Sequence, residues 1–260
     1  MLLHTSNTFT SYNYPLKEAE IVFLGIPFSS TGLTKSSYSG PTVIRQALKM
    51  IQELPERKYA DVGDLSVVPG SYELTSQRIR DTIFEIKSEN KDAFLVITGG
   101  EHLITLPVCE ALAAKTIIHL DAHSDTLSNY LGNKHTHQTW AYHASKFSNI
   151  MQVGVNVWAK GENDFVKNSE KVHAFDIDRF LETDFDFVEP VHLTIDMDVI
   201  EGMETQYPEG VLTKEDVMNV IDKIKRSCTL SSMDIVEITD DKLGNNTSFT
   251  AAQLVKKVLE

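Results

Sequence analysis

Two stretches of the chain end an apolar run with metal-capable side chains on alternate positions. The first, TIIHLDAHSD, starts at residue 116 and carries Asp121, His123 and Asp125; the second, VHLTIDMD, starts at residue 191 and ends in Asp196 and Asp198. Alternate side chains of an extended strand share one face, so each set would converge on one side of its strand. Convergent carboxylates repel one another and need a positive partner. They are therefore unfavourable in an apolar core and favourable as a cation site.

A further histidine and a glutamate lie at the ends of two other predicted strands. His102 follows Gly99-Gly100 after the strand predicted at 93–98, and Glu237 lies near the end of the last predicted strand, 230–238. Ligands of α/β folds bind at the carboxyl ends of the strands, which favours one shared site. The candidate metal ligands are His102, Asp121, His123, Asp125, Asp196 and Asp198. The alternative, that each of them only caps a helix or ends a strand, is the weaker explanation for all six together.

The composition of this ligand set indicates the metal. Oxygen and nitrogen ligands without a thiolate suit Mn²⁺ or a similar ion better than a structural zinc. Six ligands exceed what one ion needs, so we expect some of the carboxylates to bridge two ions. A pair of ions roughly 3.5–4 Å apart can hold a shared water and lower its pKa towards hydroxide.

Predicted strands and helices alternate along the chain. Strands are expected at 20–26, 59–65, 93–98, 116–120, 151–155, 172–175, 191–196 and 230–238; helices are expected after Gly40-Pro41, over 73–87 and from Thr213, where a capping-box pattern ends at Asp216. The alternation predicts an α/β fold with one mostly parallel, doubly wound sheet in a single domain, 1–260. A closed eight-fold barrel is the alternative.

Composition excludes several classes of protein. The chain has 260 residues and a formal net charge of -13, with no basic stripe that could bind nucleic acid. No apolar run approaches the roughly 18 residues that a membrane span needs. The N-terminal stretch MLLHTSNTFTSY has no signal-peptide pattern, and the two cysteines have no CxxC spacing, so we expect a cytoplasmic protein in a reducing compartment.

Several of these motifs together resemble those of a known family. GGEH at 99–102, DAHSD at 121–125 and DMD at 196–198 resemble, in order and separation, the three metal motifs of the ureohydrolases, which include arginase and agmatinase; GPTVIR at 40–45, DVGD at 61–64 and MDIVE at 233–237 also match. The resemblance implies a three-layer α/β/α fold around an eight-stranded, mostly parallel sheet. It also implies a binuclear Mn²⁺ centre, hydrolysis of a guanidinium to urea and an amine, and a homo-oligomer, either a trimer or a hexamer.

The resemblance also implies a role for each motif residue. One manganese would be held by His102, Asp121, Asp125 and Asp196, and the other by His123, Asp121, Asp196 and Asp198, with Asp121 and Asp196 bridging. A hydroxide between the ions would attack the guanidinium carbon, and the catalytic and substrate-binding residues would be Asp125, His137 and Glu237. Asp125 would take the hydroxide proton, His137 would protonate the leaving amine, and Glu237 would bind the guanidinium as a fork. His119 is expected to point away from the metals, and Asp61 and Asp64 are expected to be structural.

Departures from the family pattern concern the substrate. Glu201-Gly202 replaces the usual Asp-Pro in a loop that is several residues shorter, and Glu101 replaces an Asp. Leu127 stands where arginases have an Asn that helps to hold the amino-acid carboxylate, which favours a small cationic guanidinium substrate without that group. We therefore predict an agmatinase, producing putrescine for polyamine biosynthesis; formimidoylglutamase, guanidinobutyrase and arginase are the alternatives. A non-catalytic binding protein remains open as another class, and a binuclear phosphatase ranks low because the motifs offer little positive charge for phosphate.

Overall fold

The described part of the chain forms one open sheet of nine strands. The computed structural model describes residues 2–6, 14–30, 36–51, 54–239 and 241–260, so most of the N-terminal stretch considered for a signal peptide lies outside the described residues. The strands are β1 (Thr5–Ser6), β2 (Ile21–Ile26), β3 (Tyr59–Leu65), β4 (Phe94–Gly99), β5 (Thr116–Leu120), β6 (Asn149–Val153), β7 (Val172–Phe175), β8 (Val191–Asp196) and β9 (Leu230–Val236). Their order in the sheet is β1-β3-β2-β4-β9-β8-β5-β6-β7.

Eight of these strands are parallel, which confirms the predicted sheet. The two-residue β1 adds an antiparallel edge against β3. The barrel alternative is wrong, because β1 and β7 are free edges of the sheet in the described part of the chain.

Helices cover both faces of the sheet, as the three-layer prediction requires. They are α1 (Gly40–Met50), α2 (Tyr72–Glu89), α3 (Thr105–Leu112), α4 (Trp140–Ala144), α5 (Glu162–Asn168), α6 (Ile177–Glu182), α7 (Lys214–Ser227) and α8 (Asn246–Leu259). Buried residues of α1, α6, α7 and α8 pack on one face, and those of α2, α3, α4 and α5 pack on the other. Strand β2 shows the alternation directly, since Phe23 faces the first group and Leu24 the second.

The order of strands in the sheet places four chemically important strand ends side by side. Strands β4, β9, β8 and β5 are consecutive neighbours near the middle of the sheet, although they are distant in sequence. Their carboxyl ends carry the segments with His102, Glu237, Asp196 and Asp121. The register pairs Thr194 of β8 with Asp234 of β9, so the polar residues of neighbouring strands face one another as well.

A buried ion pair joins α1 to β3. Arg45 donates to both carboxylate oxygens of Asp61, at 2.8 and 3.0 Å, and to the Gly63 carbonyl at 3.0 Å, and it also pairs with Asp64. Gly25 lies against this pair, and any Cβ there would overlap Asp64 Oδ1. Asp61 and Asp64 therefore have a structural contact, away from the candidate metal ligands.

Replacing Arg45 by methionine is expected to lower the free energy of unfolding by about 3–5 kcal/mol, because the buried carboxylate of Asp61 and the partly buried one of Asp64 lose their cation. Chemical denaturation with and without the substitution measures this loss. The matched control is Arg57→Met, which breaks an exposed pair with Glu20 (3.2 Å) and is expected to cost at most about 1 kcal/mol. Equal losses in the two variants would contradict the expectation.

Candidate metal and catalytic site

Three carboxylates surround one ring nitrogen of His102. Its Nδ1 atom lies 3.0 Å from Asp121 Oδ2, 3.2 Å from Asp196 Oδ2 and 3.5 Å from Asp125 Oδ2. All four side chains are buried. A second group lies beside the first, where His123 Nδ1 is 2.9 Å from Asp198 Oδ2 and 3.4 Å from Asp121 Oδ1.

The contacts of His102 Nδ1 fit metal coordination better than hydrogen bonding. None of its three short approaches to carboxylate oxygens has hydrogen-bond geometry, so the buried Nδ1 atom has no hydrogen-bond partner. Separations of about 3 Å between ligand atoms are those expected around an octahedral ion with bonds of about 2.1 Å. The donor set of imidazole nitrogen and carboxylate oxygen is compatible with Mn²⁺. The residues present therefore fit a metal ion.

Asp121 contacts both groups with different oxygens. Its Oδ2 faces His102 and its Oδ1 faces His123, so it is placed to bridge two ions. Asp196 faces His102 with Oδ2, and its Oδ1 accepts the backbone N–H of Asp198 at 2.9 Å, just as Asp121 Oδ1 accepts that of His123 at 2.6 Å. The structure thus brings all six predicted ligands together, and it shows the two-sided arrangement for Asp121.

The expectation that His119 points away from the site is wrong. Its Nε2 lies 2.8 Å from Asp121 Oδ2. The Gln152 amide donates to His119 Nδ1 (3.0 Å) and to the Ser124 carbonyl (2.7 Å), so the proton of His119 is on Nε2 and is donated to Asp121. Residues 119 and 121 are two apart, and strand alternation itself places them on the same face.

Behind His102 lies a fully buried hydrogen-bond chain. The His102 Nε2–H donates to Thr194 Oγ1 at 2.8 Å, and the Thr194 hydroxyl donates to Asp234 Oδ1 at 2.5 Å. Asp234 also accepts from Thr105 (2.9 Å) and contacts His192 Nε2 (2.9 Å). This chain fixes the tautomer that leaves His102 Nδ1 free to ligate a metal.

Replacing Thr194 by valine is expected to weaken Mn²⁺ binding by about 10–100-fold, because His102 loses the acceptor that orients its ring. Titration calorimetry of the metal-free protein measures the affinity, and Thr194→Ser is expected to restore it. The control is Thr105→Val, since Thr105 contacts Asp234 but not the ring of His102. Unchanged affinity in Thr194→Val would contradict this role.

Proton binding replaces cation binding in the metal-free site. Burial, followed by the charge of Asp121, raises the pKa of Asp198 to about 7. Burial opposes the charged form of His102 and of His123, but the close carboxylates of Asp121 and of Asp196 or Asp198 outweigh it and raise both pKa values. Burial would likewise raise the pKa of Asp121, but contacts with His102 and His119 outweigh it and hold that pKa well below its usual range.

The metal-free protein is expected to lose stability as the pH rises from about 6.5 to 8, by about 1 kcal/mol or more per pH unit. Asp198, His102 and His123 have raised pKa values, so in this interval the folded state binds more protons than the unfolded state. Buried His119 and His137 have lowered pKa values and act in the opposite sense, but this contribution fades above about pH 7.5, where unfolded histidines have also lost their protons. Denaturation of stripped protein across this range tests the slope.

Saturation with Mn²⁺ is expected to reverse that slope, because ions bind the deprotonated ligands and bind more tightly as the pH rises. A stripped protein that gains stability over the same interval would contradict the expectation.

The two predicted catalytic carboxylates have unusual backbone conformations. Asp125 has φ 55° and Glu237 has φ 63°, both in the left-handed region that side chains rarely adopt. Trp140 donates its indole N–H to Asp125 Oδ2 at 2.9 Å. Glu237 donates its backbone N–H to the Gly100 carbonyl at 2.9 Å, and its Oε1 accepts the backbone N–H of His102 at 2.8 Å. Strain of this kind persists only where the surroundings fix it, and it concentrates at functional sites.

A narrow cleft opens onto the metal-capable residues. The residues that line it are His102, His123, Asp125, His137, Gln138, Asp196, Asp198, Gln206, Tyr207 and Glu237. Burial, and then the charges of His102 and His123, lower the pKa of His137 to about 4, so His137 is neutral at pH 7. Burial, and then the charge of Glu101, raise the pKa of Glu237 to about 8. A cation that entered the pocket would favour the ionised form of Glu237.

Sequence analysis missed three participants in the site. Trp140 packs its ring between His102 (4.7 Å) and His119 (4.8 Å), and nothing in the spacing of motifs indicates this. Thr194 could have been found, because it alternates with Asp196 on the same face of β8. Glu209 contacts His123 Nε2 at 3.0 Å through the shortened loop, which no local pattern predicts.

Comparison with known proteins places this site in a family. The model of the arginase family matches residues 19–260. This chain belongs to the arginase family. The predicted membership of the ureohydrolase family, with likeness to agmatinases, and the predicted class of hydrolase are confirmed.

Individual relatives of this arginase-family chain are similar over nearly their whole length. It is 34% identical to the N(1)-aminopropylagmatine ureohydrolase of Thermococcus kodakarensis, over 93% of this chain and 91% of that protein. It is 32% identical to an agmatinase of Pyrococcus horikoshii, over 100% and 98%. The crystal structure of the agmatine ureohydrolase of Thermoplasma volcanium superposes with a TM-score of 0.81 at 24% identity, covering 96% and 94% of the two chains. The similarity to the Thermoplasma structure shows the fold of this chain.

Proposed function

We propose that this arginase-family protein hydrolyses agmatine to putrescine and urea with two Mn²⁺ ions. The observation that supports this most is the charge of the pocket. Five of the six candidate metal ligands and Glu237 line it, whereas no Lys or Arg does so among the described residues. A pocket of this kind suits a substrate whose groups are cationic at both ends.

The absence of a lining cation among the described residues separates agmatine from the alternatives. Arginine, guanidinobutyrate and formimidoylglutamate each carry a carboxylate, which would need a positive or strongly donating partner when it leaves water. Agmatine carries an ammonium instead. Leu127, where arginases have an Asn, agrees with this preference.

Each side chain has a role in this proposal. His102, Asp121, Asp125 and Asp196 would hold one ion, and His123, Asp121, Asp196 and Asp198 the other. Two such ions supply a water of lowered pKa as the nucleophile. Glu237 would bind the guanidinium as a fork, and the His102 N–H that Oε1 also accepts would hold the carboxylate in place. Asp125, fixed by Trp140, would take the proton of the nucleophile.

His137 would relay a proton to the leaving amine. It is neutral at pH 7 in this site, so it must accept a proton before it donates one. Asp125, which also lines the pocket, is the proposed source of that proton. The relay keeps the proton count balanced, because the proton lost by the nucleophile reaches the departing nitrogen.

The similarity to the Thermococcus protein favours N1-aminopropylagmatine as a second candidate substrate. Mn²⁺-loaded protein is offered agmatine, N1-aminopropylagmatine, arginine and guanidinobutyrate side by side, and urea is measured; formimidoylglutamate is offered separately, with formamide as the product. We expect urea from agmatine and little product from the three carboxylate-bearing compounds. Two bound ions without product from any compound would overturn the proposal in favour of a non-catalytic binding protein.

A further inference from the structure

We propose that Glu209 binds the distal ammonium of the substrate and thereby selects aminoalkyl guanidines, including those extended beyond that nitrogen. This inference rests on the proposed function of the site. It concerns the loop of residues 201–211, which differs from the family pattern and contacts His123 through Glu209.

Backbone contacts hold this loop in a fixed position beside the metal-capable residues. The Glu201 N–H donates to the Leu212 carbonyl at 2.9 Å, and the Leu212 N–H donates to the Val199 carbonyl at 3.2 Å. Gly210 packs so closely on the Asp198 carbonyl that any side chain there would overlap it. The Asn156 amide donates to the Glu209 carbonyl at 2.8 Å. Residue 209 is therefore held at a fixed place at the mouth of the site.

The side chain of Glu209 has acceptor capacity to spare. Its Oε2 lies 3.0 Å from Nε2 of His123, whose ring lines the pocket. A carboxylate can accept about four hydrogen bonds, and one N–H donor leaves most of that capacity unused. The side chain is 51% exposed, and its one ion-pair partner within the described ranges is His123. An ammonium could approach it without losing all its water.

An aromatic wall joins the two ends of the pocket. Tyr207 stacks on His137 with ring centroids 5.9 Å apart and an interplanar angle of 28°, and its edge meets His123 at 5.9 Å. Such a surface suits the methylene chain between a guanidinium at Glu237 and an ammonium at Glu209. Because Glu209 faces solvent, a secondary ammonium with a further aminopropyl group would fit as well as a primary one.

The experiment compares agmatine with n-pentylguanidine, which carries a methyl group in place of the ammonium. In the unmodified protein, we expect kcat/KM to favour agmatine by about tenfold or more, as for a hydrogen bond to a charged group. Glu209→Gln keeps an acceptor for His123 but removes the charge. We expect this variant to lose the preference through a higher KM for agmatine, with n-pentylguanidine unaffected and two ions still bound.

Glu201→Gln is the matched control, since Glu201 is an exposed carboxylate of the same loop. It is expected to keep the preference for agmatine. Equal loss on both substrates in Glu209→Gln would mean that Glu209 acts only through His123, and an unchanged preference would mean that it does not contact the ammonium; either result overturns the inference. Absence of urea from every guanidine in the unmodified protein would overturn the proposed function instead.

Discussion

Replacing Asp121 by asparagine is expected to abolish urea release, by at least about 10³-fold, and to reduce the bound Mn²⁺ below two ions per chain. Asp121 is the one described side chain that faces His102 with one oxygen and His123 with the other, at 3.0 and 3.4 Å. An amide keeps one uncharged oxygen where the proposed site uses two charged ones, so one of the proposed metal positions would lose a ligand and the other would keep only a neutral one. Metal analysis and a urea assay on the same preparation measure the two losses.

The control for this variant is Asp184→Asn, because Asp184 is a fully exposed carboxylate paired with Lys223 at 3.3 Å. It is expected to retain activity and metal. Circular dichroism of Asp121→Asn tests whether the sheet is intact. A folded variant that still carries two ions per chain would contradict the bridging role.

Glu237→Gln is expected to lower kcat/KM for agmatine by about 10²-fold or more while leaving two ions bound, because the guanidinium loses a buried carboxylate partner. Glu237 is held by hydrogen bonds on both its backbone N–H and Oε1, so glutamine can occupy the same position with little rearrangement. The loss is then electrostatic and not positional. Steady-state kinetics measure it, together with metal content.

Glu237→Asp provides the matched comparison, since it keeps the charge but shortens the side chain. We expect it to recover part of the activity only if the carboxylate can still reach the substrate. A glutamine variant with unchanged kinetics would show that Glu237 does not bind the guanidinium, whatever its place in the pocket.

Strand-end chemistry was predictable because it follows from local patterns. Apolar runs that end in Asp121 or Asp196 indicate strands, and parallel strands bring their carboxyl ends to one edge. This reasoning located all six candidate ligands at one site. It failed for His119 because residues 119 and 121 were expected on opposite faces of the strand, whereas residues two apart share one face.

Other features depend on contacts that no local pattern contains. The hydrogen-bond chain from His102 through Thr194 to Asp234 requires the register between β8 and β9, which sequence alone does not determine. Trp140 enters the site from a helix that packs on β5 only in the folded chain. Glu209 contacts His123 from a loop that is distant in sequence.

The left-handed backbone at Asp125 and Glu237 has a consequence for engineering. Glycine adopts that conformation without strain, so substitution at either position is a route to higher thermal tolerance. It would also remove a carboxylate from the proposed reaction centre. At residues 125 and 237, selection for heat resistance alone would thus favour a variant that is more stable but inactive.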